Sequence, residues 1–182
     1  HFDPGLITMA VALAFKQAVA KYTDRDFQIK WVNDILYKGK KVAGILTEAT
    51  TSLETGHIES IIIGIGINLI KEEDFPEDLD KITAAVFDES LPETFNVNEL
   101  IANSLKNFLY FVGDGKAEII PLYKESCYTL GKVVRYLKDG EEKEGLAVDI
   151  DEHGALIIED ANKQRDVLNF GEAQILKGDS NE

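Results

Sequence analysis

The stretch from Ile58 to Leu69 constrains the fold most, because it combines β-branched residues with glycine. It reads IESIIIGIGINL, and Gly64 and Gly66 are its interruptions. β-Branched side chains favour extended backbone, and a glycine inside a strand marks a place where another group approaches the backbone closely. We therefore predict a central β-strand with a ligand or another backbone against its glycines.

Further extended segments precede this strand. Apolar and polar residues alternate from Phe27 to Trp31, which is typical of a half-buried strand. Apolar, β-rich stretches then lie on both sides of Lys38-Gly39-Lys40, a short glycine-containing connection of the kind that closes a β-hairpin. The sequence thus predicts a strand followed by a hairpin.

Four segments of the sequence have helical patterns. An Ala-rich stretch from Leu6 to Tyr22 predicts a helix that is buried on most of its circumference. We also predict helices at residues 99–112, where Asn96 or Asn98 can provide the cap, and at residues 117–128. A short helix around residues 79–87 completes an α+β pattern.

The pattern changes after residue 129. From Lys132 onwards, short β stretches alternate with turn signals at Asp139-Gly140, His153-Gly154 and Asn162-Lys163. This alternation predicts a small all-β barrel or sandwich. We place a domain boundary near Thr129, which gives domains at residues 1–129 and 130–182.

Charge and composition limit the partners of this chain. It has 19 basic and 33 acidic residues and a net charge of -14, which repels nucleic-acid phosphates and anionic lipids. No apolar run approaches the roughly 20 residues of a membrane span. A single cysteine excludes an internal disulfide, so we expect a cytoplasmic protein without nucleic-acid or membrane contacts through this segment. Because the first residue is His1, we expect the chain to begin inside a longer protein.

The polar residues near the first strand allow two interpretations. Lys30 lies on the opposite strand face from its two apolar neighbours, where it is either a solvent-facing lysine or a rigidly held cation. Lys38, Lys40 and Lys41 either keep a hairpin tip soluble or attract a triphosphate or an acidic partner. The three histidines lack the neighbours of a zinc site, so no protein metal site is predicted.

A family resemblance extends this interpretation. Residues 30–34, KWVND, resemble the Lys-Trp-Pro-Asn-Asp signature of biotin protein ligases, with Val32 in place of the usual proline. Residues 41–48, KVAGILTE, resemble the Lys-x-Ala-Gly-Ile-Leu-x-Glu strand that follows it, and residues 63–68 resemble the Gly-x-Gly-x-Asn strand. The terminal segments around Gly154 and Gly171 resemble the small β domain that ends these ligases.

The resemblance implies a fold. It is a mixed β-sheet with helices, like that of class II aminoacyl-tRNA synthetases and biotin ligases, followed by a small SH3-like β-barrel. The Gly-Arg-Gly-Arg-type loop and the upstream Thr-Asn or Ser-Thr strand of the family do not occur in this sequence. We therefore expect an incomplete catalytic domain at residues 1–129 that lacks its N-terminal portion, binds its ligands weakly and catalyses poorly.

The resemblance also implies an activity. Biotin and ATP, which brings Mg²⁺, form biotinyl-5'-AMP, and biotin passes to a lysine of the biotin carboxyl carrier protein of acetyl-CoA carboxylase. A homodimer is common in the family. The implied catalytic residue is Lys30, which touches the biotin carboxylate and the α-phosphate. Biotin would also lie against Gly44, Gly64 and Gly66, and the nucleotide-binding residues would be Asn33, Asn68 and Lys177, with Arg135 as a weaker alternative to Lys177.

Three other functions stay open at this point. A lipoate-protein ligase shares the catalytic architecture, although the Trp-x-Asn-Asp block argues against it. A biotin-responsive repressor would use the same core to bind the adenylate, with a DNA-binding module upstream. An inactive interaction fragment would have lost adenylate binding altogether.

Overall fold

The structure is a computed structural model that describes residues 5–52, 54–55, 57–71, 79, 81–169 and 171–176. The described helices are α1 (Gly5–Val19), α2 (Val97–Val112) and α3 (Ile119–Ser126), and a 3-10 helix (Lys116–Glu118) directly precedes α3. The described strands are β1 (Phe27–Lys30), β2 (Asp34–Tyr37), β3 (Lys40–Thr51), β4 (Ile58–Ile67), β5 (Val133–Lys138), β6 (Glu141–Ile150), β7 (Leu156–Glu159), β8 (Arg165–Leu168) and β9 (Ala173–Ile175).

Helix α1 confirms the predicted N-terminal helix, although it ends at Val19. Most of its side chains are buried, and the hydroxyl of Thr8 donates to that of Thr47 on β3 at 2.9 Å. In the described part of the chain, no helix combines the length and the apolar character needed to cross a membrane.

The first sheet contains the predicted hairpin. Among the described residues its strands run in the order β1-β2-β3-β4, and every neighbouring pair is antiparallel. The turn between β2 and β3 places Lys38 at φ 50° and Gly39 at φ 74°, which is the left-handed backbone of a tight hairpin. Helices α1 and α2 pack together on the face that carries Thr47 and Ile63.

The prediction that β4 is a central strand is wrong for the strands that the structure describes. Strand β4 pairs with β3 alone and forms an edge of the sheet. Its isoleucines are not equally buried, since Ile61 and Ile63 pack against the core whereas Ile62 is 64% exposed. Strand propensity reflects the local residue types, but the place of a strand in a sheet depends on its partners.

Two helix predictions had different outcomes. Helix α2 begins as predicted after Asn96, whose side-chain oxygen accepts hydrogen bonds from the backbone N–H groups of Asn98 and Glu99. The predicted helix at residues 79–87 is wrong for residues 81–87, because residues 81–90 form turns, bends and a single bridge to β3, whereas Leu79 is helical. The backbone N–H of Lys41 donates to the carbonyl of Ile82 at 2.8 Å, so this segment lies along β3.

The second described sheet has the strand order β8-β7-β6-β5-β9, and all its neighbouring pairs are antiparallel. Its predicted turns contain residues with positive φ, namely Asp139 (54°), Gly154 (87°) and Lys163 (65°). The α+β class is therefore confirmed. In the described residues β8 and β9 are edges that do not pair with each other, so a closed barrel is not established.

The end of β1 joins the two sheets. The backbone N–H of Trp31 donates to the buried hydroxyl of Thr129 at 2.9 Å, and its indole N–H donates to the carbonyl of Gly154 at 3.0 Å. The N–H of Tyr128 donates to the carbonyl of Ile29 at 2.8 Å. Buried polar groups need such partners, so residues 29–31 fix how the second sheet lies against the first.

Candidate functional site

A cavity of about 760 Å³ lies on the face of the first sheet opposite α1 and α2. It is lined by residues 41–46 of β3, residues 64–68 at the end of β4, Asn33, Leu79 and Thr83. Five of the site residues predicted from the sequence line it: Asn33, Gly44, Gly64, Gly66 and Asn68.

Glycines form the floor of this cavity. Gly66 lies opposite Gly44, and Gly64 lies opposite Leu46. A Cβ atom added at Gly64 or Gly66 would meet no atom within 4 Å. These glycines are therefore not required by packing, and their bare backbone leaves space above the sheet that a flat ligand can occupy.

Lys41 is the cation that lines the cavity. Its ammonium nitrogen lies 2.6 Å from a carboxylate oxygen of Asp34 and 2.9 Å from the place that a Cβ of Gly44 would take. The Lys41 and Asp34 side chains are 46% and 19% exposed. The backbone of Lys41 is held on both sides: its carbonyl also accepts a hydrogen bond from the N–H of Ala84 at 2.8 Å, and on the other side Lys41 pairs with Leu36 of β2.

A β-bulge directs Lys41 towards this face. Ile35 pairs with Ala43, but its neighbour Leu36 pairs with Lys41, so β3 has one extra residue at Val42. Simple alternation along β3 would place Lys41 on the same face as Ala43, towards the helices. The extra residue reverses that orientation and brings Lys41 to the face of Asp34.

Lys30, the predicted catalytic residue, shares this face without lining the cavity. It pairs with Asp34, Asp34 pairs with Gly44, and Gly44 pairs with Gly66, which makes one row across the sheet. Paired residues of antiparallel strands point to the same side. The ammonium of Lys30 lies 3.5 Å from a carboxylate oxygen of Glu172, just before β9.

Sequence analysis overlooked Lys41 as an individual site residue, although a signal was present. Lys41 is the first residue of the block at positions 41–48 that resembles a family strand. Asp34 is the last residue of the KWVND block, which resembles the family signature. The structure places the two side chains in contact.

The two predicted asparagines hold backbone segments at the cavity wall. The side-chain amide of Asn33 donates to the carbonyl of Ile45 at 2.9 Å, and that of Asn68 donates to the carbonyl of Ala84 at 3.1 Å. The N–H of Val86 also donates to the carbonyl of Asn68 at 2.8 Å. Both side chains therefore shape the cavity, with their oxygen atoms as further polar groups.

Of the remaining predicted basic residues, Arg135 does not line the cavity. Lys177 lies outside the described residues. Arg135 is on β5, where its guanidinium contacts Glu142 at 2.9 Å and Glu144 at 2.8 Å. The hydrogen bond to Glu144 raises the pKa of Arg135. Within the described ranges, no group of three or more His, Cys, Asp or Glu side chains is placed to hold a metal ion.

Comparison with known proteins identifies the family. A model of the Biotin/lipoate A/B protein ligase family matches residues 3–68, and a model of the Biotin protein ligase C terminal domain matches residues 129–176. The chain belongs to the biotin protein ligase family. The first match covers the cavity-lining residues except Leu79 and Thr83. The second match begins at Thr129 and includes the whole second sheet.

Two relatives illustrate how far this ligase-family similarity extends. The chain is 30% identical over 157 residues to the bifunctional ligase/repressor BirA of Bacillus subtilis, with 84% of this chain and 48% of the relative covered. It is 26% identical over 161 residues to the biotin--[acetyl-CoA-carboxylase] ligase of Mycobacterium tuberculosis, with 85% and 57% covered. The chain thus spans about half the length of these relatives.

Solved structures of biotin protein ligases share the fold. The crystal structure of the biotin protein ligase from Aquifex aeolicus matches with a TM-score of 0.76 and 22% identity, over 97% of this chain and 76% of that one. The same ligase in complex with biotin and ATP matches with a TM-score of 0.74, over 95% and 72%. At this identity the similarity establishes the fold alone.

Proposed function

We propose that this chain carries the adenylate-forming site of an ATP-dependent biotin protein ligase. The proposal rests on the glycine floor of the cavity beside Lys41, whose ammonium is paired with Asp34, in a member of the biotin protein ligase family. The ligand would be biotinyl-5'-AMP, formed from biotin and ATP. The acceptor would be a lysine of the biotin carboxyl carrier protein of acetyl-CoA carboxylase, consistent with the name of the Mycobacterium tuberculosis relative.

The proposed reaction has two steps. The carboxylate oxygen of biotin attacks the α-phosphorus of ATP, and pyrophosphate leaves. The neutral amine of the acceptor lysine then attacks the acyl carbon, AMP leaves, and the amine loses a proton. Both steps gather negative charge around one phosphorus and one carboxylate, so a fixed cation beside them stabilises the transition state.

We propose that Lys41 supplies the positive charge beside the reacting phosphate and carboxylate, because its ammonium lies over Gly44 at the cavity wall. Lys30 remains a proposed catalytic and biotin-binding residue, which adds its charge from the neighbouring position on the same sheet face. Strand β2 on one side and residues 82–84 on the other hold the backbone of Lys41 in place, and such pre-organisation makes electrostatic stabilisation effective.

The rest of the proposed site follows the cavity. Biotin would lie on Gly64 and Gly66, where no side chain fills the space, and against Gly44, where the Lys41 ammonium would meet its carboxylate. The nucleotide would contact Asn33 and Asn68, and Lys177 would reach it from the C-terminal segment.

Mg²⁺ would arrive with ATP, bound mainly by phosphate oxygens and water, as is usual for this ion. The Asp34 carboxylate lies 3.6 Å from the place that a Cβ of Gly44 would take, and Lys41 already engages it. We therefore assign no protein ligand to Mg²⁺.

The domain division at residue 129 is part of the same proposal. Residues 1–129 would be the catalytic domain. Residues 130–182 would be an SH3-like domain that packs against the end of β1 in the catalytic domain. A homodimer would form through the edge of β4, which pairs with β3 alone among the described strands. We propose that the protein acts in the cytoplasm.

Transfer of biotin to an isolated carrier domain tests this function. The chain is incubated with biotin, ATP and Mg²⁺, and the carrier is analysed by intact-mass spectrometry. We expect the mass of one biotin to be added at a slow rate that depends on ATP and is lost in Lys41→Ala. Addition of lipoate in preference to biotin would contradict the proposal and support the lipoate-ligase alternative.

A repressor function is the second candidate, because the Bacillus subtilis relative is named a bifunctional ligase/repressor. With its net charge of -14 this segment is unsuited to DNA, so the contacts would come from other residues of the protein. Adenylate-dependent DNA binding by the whole protein would support this role. The third alternative, an inactive interaction fragment, requires that the whole protein bind no adenylate.

A further inference from the structure

Charges alternate along a line from the second sheet to the cavity. The line contains Glu172, Lys30, Asp34 and Lys41. The Lys30 ammonium is 3.5 Å from Glu172, and the Lys41 ammonium is 2.6 Å from Asp34. Of these four residues, Lys41 lines the cavity.

Lys30 has a second carboxylate within reach. Lys30 and Asp34 lie directly opposite each other in the antiparallel register of β1 and β2. At such positions Cβ atoms are about 5 Å apart, and opposite charges attract each other. The ammonium of Lys30 nevertheless contacts Glu172, so Glu172 and Asp34 compete for one cation.

The two partners differ in exposure. The side chain of Lys30 is 21% exposed, whereas that of Glu172 is 80% exposed. A largely buried ammonium needs a nearby anion, but an exposed carboxylate is hydrated well without one. Loss of the Glu172 carboxylate would therefore leave Glu172's own surroundings intact and send Lys30 to Asp34.

The backbone fixes where Glu172 lies. It precedes β9, whose residues pair with β5, and the N–H of Leu176 donates to the carbonyl of Val133 at 3.1 Å. The position of the Glu172 carboxylate thus depends on how the second sheet is attached to β1. This connects the second sheet to the charge on the cavity face.

We propose that Glu172 is a positioning residue that holds Lys30 away from Asp34 and thereby leaves Asp34 bound to Lys41. This inference rests on the proposed function, since it assumes that the cavity binds an anionic adenylate. When Glu172 releases Lys30, Lys30 pairs with Asp34, and Asp34 attracts Lys41 less strongly. More positive charge is then available to the phosphate of the ligand.

A double-mutant cycle tests the proposal. Calorimetry measures the Kd of a biotinyl-adenylate analogue that keeps its phosphate, for wild type, Glu172→Gln, Lys30→Gln and the double variant. We expect Glu172→Gln to lower the Kd about threefold, as one nearby charge does in partly screened surroundings. In the Lys30→Gln background the same change should have no effect. Glu172→Asp should retain wild-type behaviour, and Glu141→Gln is the matched control at an exposed position of the same sheet.

A second measurement needs no ligand. Mass spectrometry follows the rate at which acetic anhydride acetylates Lys41, which rises when the ammonium is less tightly paired. We expect a rise of about twofold in Glu172→Gln, as for loss of a weak ion pair, and none in the double variant. An unchanged rate, or a Kd that falls equally without Lys30, would overturn the proposal. If the rate responds but no folded variant binds the adenylate, the proposed function fails and the positioning role stands.

Discussion

The ammonium of Lys41 and the carboxylate of Asp34 are in contact at 2.6 Å, although simple strand alternation would place them on opposite faces of the sheet. The bulge at Val42 brings them together. The pair lies beside a glycine floor, so one wall of the cavity carries an ammonium group, and Gly64 and Gly66 leave open space above the adjoining backbone.

Lys41→Ala should weaken binding of the biotinyl-adenylate analogue by about 1.5–3 kcal/mol, the range of a hydrogen bond to a charged group. Calorimetric titration measures the change. Lys106→Ala, an exposed lysine of α2, removes the same charge far from the cavity and should leave the affinity unchanged. Equal losses in both variants would show that only net charge matters.

Gly66→Ala should preserve the fold and weaken ligand binding. The new methyl group meets no protein atom within 4 Å, so the free energy of unfolding should change by less than about 0.5 kcal/mol. A ligand lying on the floor would lose about 1–3 kcal/mol to the overlap. Urea denaturation and calorimetry separate the two effects.

Gly145→Ala provides the contrast to this substitution. Its Cβ would lie 2.8 Å from the carbonyl oxygen of Glu159, so this variant should lose stability. If Gly66→Ala bound the ligand as tightly as wild type, the ligand would not lie on the β4 glycines.

Thr129→Val should destabilise the chain by about 1–3 kcal/mol, because it leaves the buried N–H of Trp31 without its acceptor. The side-chain volume hardly changes, so a cavity effect is avoided. Fluorescence of the single tryptophan during urea denaturation reports the loss. Thr50→Val, at an exposed position of β3, should change stability little.

Acid should destabilise the second sheet through Asp166. Hydrogen bonds from Lys138, Tyr136 and Lys143 lower its pKa from 3.8 to about 2. Between these two pKa values the unfolded chain binds more protons, so this stabilisation is complete above about pH 4 and disappears as the pH falls through 2.

Asp166→Asn should remove this dependence, which we expect to be worth about 1–2 kcal/mol after screening by solvent. Denaturation curves between pH 2 and pH 5 measure it. Asp139→Asn, in an exposed turn, should behave like wild type. A parallel loss of stability in wild type and Asp166→Asn over this range would refute the assignment.

Local rules explain which parts of the fold could be predicted from the sequence. The hairpin follows from Gly39, which adopts positive φ without steric cost, and the start of α2 follows from the capping side chain of Asn96. The turns at Asp139 and Gly154 obey the same rule. Each depends on neighbours within a few positions along the chain.

The errors concern relationships between distant residues. The isoleucines of β4 specify a strand, but they do not reveal that β4 pairs with β3 alone among the described strands. Alternation placed Lys30 on a polar face, but it could not give the distance to the cavity. The bulge that turns Lys41 towards Asp34 arises from pairing between β2 and β3, which the β3 sequence by itself does not encode.

The most direct test of the central claim is calorimetric titration of the whole chain with the biotinyl-adenylate analogue, with the lipoyl-adenylate equivalent as control. We predict saturable 1:1 binding of the biotinyl compound and binding of the lipoyl compound at least about tenfold weaker, a difference of about 1.4 kcal/mol. Binding of the lipoyl compound with equal or higher affinity, or binding of neither compound to a folded chain, would contradict the assignment of this cavity to biotinyl-5'-AMP.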